Sequence, residues 1–399
     1  LDSVLDGLSQ VGVIRLLVTG IGRDGTLEGA DVDLTRRVVE DGRFRVIASG
    51  GVGTLSDLDP LAALGCEAVV VGRALYDRRG TGPSPRLTAG SLSAVQPFRF
   101  GAMVGRAGSR QEWLDQIRMA EDLGYSTLFI SDHFSDKLAP LPALAMAAEH
   151  TSLNIGTLVL ANDFRHPAVV AKEAATVDLL SGGRLELGIG TGWDEADYAA
   201  SGIRKDPPRV QVDRFEEAVV VLKETWADGP VDFDGDHYRV HHAGLPKPGP
   251  GRPTLLIGGG GRRMLGIAAR HADIVGVSAG QITNREELRD RLARSGELID
   301  AKIERVRQVD GGRFARLELN VRVCGTEVGD RRRGAEKLAE AYRTEPEAIL
   351  ASPHFLAGTP EEIAADLVER RRRWGFNYPV IQQQALRDFA PVVELLAGS

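Results

Sequence analysis

Residues 156–193, GTLVLANDFRHPAVVAKEAATVDLLSGGRLELGIGTGW, decide the fold class of most of this 399-residue chain. The segment opens at the end of one β-rich run, passes through the helical stretch HPAVVAKEAATVDLLSGG, and closes in a second β-rich run, RLELGIG. Short apolar runs joined by a helix are typical of parallel strands, because parallel strands need a long crossover connection. The segment therefore predicts a βαβ unit.

The same alternation extends from residue 98 to residue 399. Eight β-like runs follow one another: FRFGAMV, TLFISDH, LNIGTLVL, RLELGIG, TLLIGGG, DIVGV, LELNVRV and YPVIQQQ. Eight such runs over about 300 residues match the dimensions of a (β/α)8 TIM barrel better than those of an open doubly wound sheet, which is the alternative. Two interruptions are expected: a small hairpin at VDFDGDHYRVHH and an additional helical segment over residues 281–313.

A boundary is predicted at residues 81–97, TGPSPRLTAGSLSAVQP, where Gly, Pro, Ser and Thr are concentrated and hydrophobic periodicity is weak. Before it, residues 1–80 alternate the β-rich runs IRLLVTG, RVIASGG and AVVVGRA with helical stretches. This rhythm predicts a partial (β/α) half-barrel. We therefore expect a half-barrel over residues 1–80, a linker over residues 81–97 and a complete barrel over residues 98–399.

Composition and charge narrow the class of protein. The formal net charge of -7 argues against a nucleic-acid-binding surface. No stretch approaches the roughly 20 apolar residues that a membrane helix requires. The two cysteines, Cys66 and Cys324, form no metal-binding or redox spacing, which fits a reducing cytoplasm. We expect a cytoplasmic protein that acts on a small molecule and binds neither nucleic acid nor membrane.

An Asp-His pair ends the second run of the predicted barrel. Catalytic residues of such barrels follow the carboxyl ends of the strands. The imidazole of His133 can accept a proton near neutral pH, while the carboxylate of Asp132 can orient it or bind a polar group of a cofactor. The structural alternative is that Asp132 caps the next element and His133 is an ordinary polar residue.

Two glycine-rich strand ends add binding elements. The fourth run ends in Gly190, Thr191, Gly192 and Trp193. Glycine lets the backbone approach a flat ligand closely, and the indole offers a stacking surface. The fifth run ends in Gly258, Gly259, Gly260 and Gly261, directly before a helical stretch. Successive backbone amides at a helix amino terminus predict a phosphate site, whereas a flexible turn is the alternative.

These segments together resemble the luciferase-like monooxygenase superfamily, and more closely its branch that uses the deazaflavin coenzyme F420. The resemblance covers about residues 98–399 and rests on SDHF, the stretch 156–193, LLIGGGG and GTPEEIAADL. It implies a deazaflavin across the carboxyl end of the barrel, with its phosphate at Gly258 to Gly261. Asp132 and the turn from Gly190 to Trp193 would hold the rest of the cofactor.

The same resemblance implies a cis peptide bond between Leu158 and Val159 behind the ring, and a proton-transfer role for His133. The implied function is an F420-dependent oxidoreductase that transfers a hydride between the deazaflavin and a small organic substrate. Sugar-phosphate dehydrogenase relatives carry a carboxylate where this chain has Trp193. We therefore do not expect glucose 6-phosphate to be the substrate.

Several alternatives stay open. The first is an FMN-dependent two-component monooxygenase of the same superfamily, which would need a flavin reductase as partner. The second is a cofactor-binding protein without turnover. A homodimer and an F420 reductase are further candidate partners. No metal is expected, because His237, His241 and His242 fall in the predicted hairpin without a ligand pattern. The basic run VERRRRWG, residues 368–375, predicts a solvated helix face.

The first block resembles the second half of the phosphoribosyl isomerase of histidine biosynthesis, over about residues 1–80. Asp24 matches its catalytic acid, and a phosphate cradle is implied at Gly50, Gly51, Gly72 and Arg73. The strands of that family's first half, with its other catalytic aspartate, are not among these residues. We therefore expect no isomerase activity from this block by itself, because the reaction needs both acid-base groups. The simpler expectation is a remnant half-barrel that packs on the second block, dimerises or is partly disordered. A phosphoribosyl isomerase that acts as a complex with the missing half is the alternative.

Overall fold

A computed structural model of the chain describes residues 1–11, 13–27, 29–71, 96–242, 251–278, 291–292, 294–309 and 313–399. The chain separates into two units, Leu1–Val95 and Gln96–Ser399. Most of the predicted linker, residues 81–95, lies outside the described residues, as do residues 281–290, 293 and 310–312 of the predicted helical segment.

The first unit is a small parallel sheet with helices. Its elements are α1 Asp2–Gln10, β1 Arg15–Thr19, α2 Val32–Glu40, β2 Arg45–Ser49, α3 Asp59–Ala63 and β3 Ala68–Val70. The strand order is β1-β2-β3, and both pairings are parallel. Val46 and Ala48 of β2 are buried in the apolar clusters of this unit. The predicted partial (β/α) rhythm is confirmed.

The second unit contains the remaining elements. In chain order they are β4 Gly101–Val104, α4 Arg110–Asp122, β5 Thr127–Ile130, α5 Pro140–Ala148, β6 Asn154–Thr157, β7 Leu160–Ala161, α6 Pro167–Leu180, β8 Leu185–Gly190, α7 Glu195–Ser201, α8 Pro208–Trp226, β9 Val231–Asp234, β10 Arg239–His242, β11 Thr254–Gly259, α9 Arg262–His271, β12 Ile274–Val277, α10 Ser295–Val309, β13 Glu318–Arg322, β14 Gly325–Val328, α11 Arg331–Tyr342, α12 Pro346–Ala351, β15 Phe355–Gly358, α13 Pro360–Trp374, β16 Phe376–Gln382 and α14 Leu386–Leu396.

Eight parallel strands of this unit close into a barrel. The hydrogen-bonded order is β4-β5-β6-β8-β11-β12-β13-β16, and β16 pairs with β4 to complete the circle. Every strand corresponds to one of the eight runs assigned from the sequence. The TIM-barrel prediction is confirmed, and the open-sheet alternative is wrong because the outer strands of such a sheet would not pair with each other.

One aromatic ring fills much of the barrel centre. Phe129 is fully buried in the interior cluster with Leu256 and Tyr378. A Cβ atom on Gly101 would lie 2.8 Å from its ring, and one on Gly156 would lie 2.6 Å from it. Glycine at these positions of β4 and β6 therefore gives the ring its space.

A polar layer closes the amino end of the barrel. The guanidinium of Arg99 is ion-paired with Glu186 and Glu318 and lies 3.6 Å from the ring centroid of Tyr378. The hydroxyl of Tyr378 donates to Glu186 at 2.9 Å. Removal of one partner from such a buried ion pair typically costs about 3–5 kcal/mol. The carboxyl end of the barrel is thus the end that can receive a ligand.

Insertions decorate the barrel. The predicted hairpin is present as β9 and β10, and α10 lies within the predicted helical segment. A parallel pair, β14 and β15, was not predicted from the sequence because both strands are only four residues long and contain glycine. In the described residues, no helix is long and apolar enough to cross a membrane.

One residue of the basic run in α13, Arg370, departs from the sequence expectation, whereas Arg372 and Arg373 are exposed as expected. The basic run was expected to form a solvated face, but Arg370 is 7% exposed and donates to the carbonyl oxygen of Phe355 at 2.9 Å. Burial lowers the pKa of Arg370 to about 10. The hydrogen bond from Arg370 connects α13 to the backbone of β15. Two positions later, Arg372 pairs with Glu369 at the surface.

Candidate active site

His133 lies just beyond the carboxyl end of β5, where its imidazole is paired with a carboxylate. Its Nδ1 atom lies 2.7 Å from Oδ2 of Asp197 in α7. The other oxygen of Asp197 accepts a hydrogen bond from the backbone N–H of Phe134 at 2.8 Å. Asp197 is buried and His133 is half-buried. The carboxylate therefore fixes the orientation of the ring and leaves Nε2 as the nitrogen that can meet a ligand.

Asp132 is buried and bound within the protein. Its carboxylate accepts two hydrogen bonds from Arg165, at 2.6 and 3.1 Å, and one from the backbone N–H of Ala161 at 3.1 Å. A carboxylate has about four acceptor positions. Three are used here, so Asp132 first anchors the segment that follows β6 and keeps about one position for a ligand.

The peptide bond between Leu158 and Val159 is cis, at the position that the resemblance implies. The Val159 side chain points toward glycines of two other strands. A Cβ atom on Gly190 would lie 3.0 Å from one of its methyl carbons, and a Cβ atom on Gly258 would lie 3.2 Å from the other. These two glycines therefore make room for Val159, in addition to any approach by a ligand.

The side chain of Trp193, predicted to offer a stacking surface, is exposed in the turn after β8. Trp193 is 57% exposed, and its ring stands edge-on to the ring of His133, with centroids 6.2 Å apart. Gly192 has φ +86°, and a Cβ atom there would lie 2.5 Å from the hydroxyl of Tyr198. Thr191, between Gly190 and Gly192, offers its carbonyl oxygen to the same hydroxyl at 3.4 Å. The glycine is thus required by close packing against α7.

A second polar cluster holds α7 in place. The Tyr198 hydroxyl donates to Asp163 at 2.8 Å. Arg214 of α8 donates to the same carboxylate at 3.0 Å and pairs with Asp206 at 2.8 Å. Burial raises the pKa of Tyr198 well above its ordinary value, so the hydroxyl stays a donor. Because Asp197 precedes Tyr198, this cluster also positions the partner of His133.

The predicted phosphate site lies at the start of α9. Gly258 and Gly259 end β11, and Gly260 and Gly261 lead into the helix. No side chain caps the amino end of α9, whose N-cap is Gly261. No heavy atom of the described residues lies within 4 Å of a Cβ atom built on Gly261. Uncapped backbone amides at a helix amino terminus, in open space, suit an anionic group.

In the first unit, the described part of the predicted phosphate cradle consists of Gly50 and Gly51. Gly50 and Gly51 have φ of +91° and +82° and pack against the preceding loop, where a Cβ atom on Gly51 would lie 2.3 Å from a carbonyl oxygen. Just after these glycines, the carboxylate of Asp57 accepts hydrogen bonds from the backbone N–H groups of Gly53 and Thr54, at 2.9 and 2.8 Å. Gly72 and Arg73 lie outside the described residues.

Among the described residues, one group has the composition of a metal site. Single donor atoms of His133, Asp194 and Asp197 lie within 4.8 Å of one another. The imidazole nitrogen and the Asp197 carboxylate in this group are already hydrogen-bonded to each other. In the hairpin, His241 does face a carboxylate, Asp232, at 2.5 Å, which the sequence pattern did not indicate.

Two residues of the site were missed by sequence reasoning. Asp197 pairs with a histidine 64 positions earlier, and Arg165 binds a carboxylate 33 positions earlier. Neither residue belongs to a motif with recognisable spacing. Their roles arise from the closure of the barrel, which places the loops after β5, β7 and β8 side by side.

The sequence and the fold match known proteins. The model of the family described as luciferase-like monooxygenase matches residues 92–378, and the model described as histidine biosynthesis protein matches residues 2–81. An F420-dependent glucose-6-phosphate dehydrogenase of Intrasporangium calvum is 36% identical over 162 residues, which are 38% of this chain and 48% of that protein. The chain thus spans about half the length of this relative.

A longer match and a solved structure extend the comparison. F420-dependent glucose-6-phosphate dehydrogenase 1 of Rhodococcus jostii is 29% identical over 284 residues, which are 67% of this chain and 76% of that protein. The structure of an F420-dependent secondary alcohol dehydrogenase with an F420-acetone adduct superposes with a TM-score of 0.60 and 18% identity. It covers 75% of this chain and 98% of that one, and it supports the barrel fold.

Proposed function

The chain belongs to the luciferase-like monooxygenase family, and from that premise we propose that residues 98–399 form a coenzyme F420-dependent oxidoreductase acting on a small organic molecule. The relatives named F420-dependent dehydrogenases support the cofactor. The structural observation that carries the proposal is the hydrogen bond of 2.7 Å between His133 and Asp197 at the open end of the barrel.

The residues at this end fit a flat cofactor with a phosphate. Trp193 stands edge-on to His133, and Phe134 follows His133 in the chain; both aromatic side chains are exposed. Val159 packs against the interior cluster of the barrel. The uncapped start of α9 beyond Gly261 offers backbone amides to an anion. When bound, coenzyme F420 supplies the hydride transfer, while the protein orients it and excludes water.

His133 acts on the proton that accompanies the hydride. Because Asp197 accepts the hydrogen bond from Nδ1–H, the basic lone pair resides on Nε2. This nitrogen takes the proton when an alcohol is oxidised and returns it when a carbonyl or an activated double bond is reduced. Asp132 serves the same site by holding Arg165 and the Ala161 backbone, which fixes the segment that carries Val159.

The test is a fluorescence titration of the full chain with coenzyme F420 and with FMN, for the wild type and His133→Asn. We expect selective binding of F420, nearly unchanged in the variant, and a turnover at least about 100-fold lower, the usual range for loss of an acid-base group. Binding of FMN without F420 would instead support a two-component monooxygenase with a reductase partner. Unchanged turnover in the variant would remove His133 from the chemistry.

A further inference from the structure

Two cations that form no ion pair among the described residues, Lys137 and Arg322, lie at the open end of the barrel. In a barrel strand, alternate side chains face the interior. Phe129 of β5 and Asn320 of β13 face inward, since Phe129 belongs to the interior cluster and the Asn320 amide lies near Gly276. Two positions further along the chain lie Ser131, directly after β5, and Arg322, the last residue of β13. By the same alternation, both face the mouth of the barrel.

Lys137 reaches this mouth from the loop after β5. It is half-buried, and its ammonium donates to the Ser131 hydroxyl at 2.5 Å. Burial lowers the pKa of Lys137, and the positive charges of Arg322 and Arg106 lower it further. The negative charges of Asp136 and of Asp197, the partner of His133, act in the opposite direction. Lys137 is thus within electrostatic range of both Arg322 and the catalytic pair.

The two cations are not neutralised within the part of the chain that the structure describes. Arg106 is paired with Asp136 at 3.0 Å, and both are exposed. The side chains of Lys137 and Arg322 form no ion pair there. Lys137 is half-buried and Arg322 is exposed. Like charges that lie near each other without an ion-pair partner of their own raise the free energy of the unliganded protein. An anionic ligand would remove this cost.

We propose that Lys137 and Arg322 bind the anionic group, a carboxylate or a phosphate, of the substrate that reacts beside His133. That the bound anion is a substrate depends on the proposed function. That an anion binds between these two cations does not depend on it. It assigns the cofactor phosphate and the substrate anion to different places. The cofactor phosphate belongs at the start of α9, after β11, and the substrate anion belongs between the ends of β5 and β13.

Guanidinium and ammonium groups recognise this chemistry in complementary ways. Arg322 can form two parallel hydrogen bonds to a carboxylate or phosphate, whereas Lys137 adds a point charge. The anion would be held close to Nε2 of His133, which would place the reacting carbon of the substrate at a fixed distance from its charged end. Neutral alcohols and ketones would lack this anchor.

The first experiment is isothermal titration of the full chain with inorganic phosphate and, separately, with acetate, at constant ionic strength. Lys137→Met keeps the apolar stem, and Arg322→Gln keeps a planar polar group. Arg332→Gln is the matched control, because Arg332 is an 89% exposed arginine on α11 paired with Glu336. We expect the affinity for the better-bound anion to fall by about tenfold or more in each site variant, and to stay unchanged in the control.

A stability measurement separates ligand binding from a structural role. Without added anion, Arg322→Gln should be at least as stable to heat as the wild type, because it relieves repulsion with Lys137. With saturating phosphate, the wild type should gain thermal stability and the variant should not. A variant that is less stable without anion would mean that Arg322 supports the fold, and would overturn the assignment.

The titrations are repeated with saturating coenzyme F420. Persistence of phosphate binding in the F420 complex supports a substrate site. Loss of phosphate binding in the complex would mean that Lys137 and Arg322 bind the cofactor. Equal phosphate binding by the wild type and the site variants would mean that the anion binds elsewhere. Either result overturns the proposal. If F420 does not bind at all, the proposed function fails, while the titrations without cofactor still decide whether the anion site exists.

Discussion

Replacement of Asp197 by Asn tests the arrangement on which the proposed chemistry depends. The side chain keeps its shape but has one acceptor oxygen in place of two. In the wild type, two donors approach the carboxylate: the imidazole Nδ1 at 2.7 Å and the Phe134 backbone N–H at 2.8 Å. An amide cannot satisfy both, so either one donor loses its partner or the imidazole of His133 changes to the other tautomer.

The size of the effect follows from these contacts. A hydrogen bond to a charged group contributes about 1.5–3 kcal/mol, which corresponds to about 10- to 150-fold in rate when the bond supports the transition state. We expect turnover of an F420-linked substrate to fall by this factor in Asp197→Asn, with little change in cofactor binding. Nitrogen NMR of His133 should show the Nδ1–H tautomer in the wild type and the Nε2–H tautomer in the variant.

A matched control is available one helical turn away. Asp194 is the N-cap of α7, and among the described residues its carboxylate accepts one hydrogen bond, from the Ala196 backbone N–H at 3.0 Å. Asn is also a good residue at a helix start, so Asp194→Asn should leave turnover and tautomer unchanged. Equal losses in the two variants would indicate a general disturbance of α7, and wild-type turnover in Asp197→Asn would refute the positioning role.

Other outcomes follow from the packing and the titration of buried groups. Gly258→Ala places a methyl group 3.2 Å from Val159 and should lower the free energy of unfolding by about 1–3 kcal/mol in denaturant titration. Gly266→Ala, in the middle of α9 with only the end of an arginine at 3.5 Å, should raise it by about 0.5–1 kcal/mol; a loss at both positions would contradict this account. Burial lowers the pKa of His354 to about 4, so between pH 6.5 and 4 the unfolded chain binds a proton that the folded chain does not. Stability should therefore fall as the pH drops through this window, and His354→Gln should make the fall shallower; equal slopes would show that another group is responsible.

The barrel could be predicted from the sequence because its strands are marked by composition alone. Each run is apolar, short and followed by glycine or a polar residue, and each is separated from the next by a helical stretch. The strands β14 and β15 escaped prediction because four residues such as GTEV carry too little pattern. The burial of Arg370 escaped it too, because four consecutive arginines look identical in sequence whether one of them is buried or none.

Some residues of the candidate site could likewise be predicted from the sequence, and others could not. Asp132, His133 and the glycine-rich turns stand at strand ends, so their shared location follows from the barrel topology. Asp197 and Arg322 do not stand out, since their importance depends on which loops become neighbours. The sequence showed which residues end the strands, and the structure adds which of their charges are paired.

The polar layer of Arg99, Glu186 and Glu318 closes the amino end of the barrel, so the carboxyl end is the one left open in the described residues. In the proposed reaction, substrate and product would both pass this end of the barrel, where the side chains of Trp193 and Phe134 are exposed. Substrate binding and product release would then use the same path, and product release could limit the rate of turnover. Added glycerol raises the viscosity of the medium and slows diffusion of the product out of the site. If product release is limiting, the steady-state turnover rate should therefore fall as the viscosity rises.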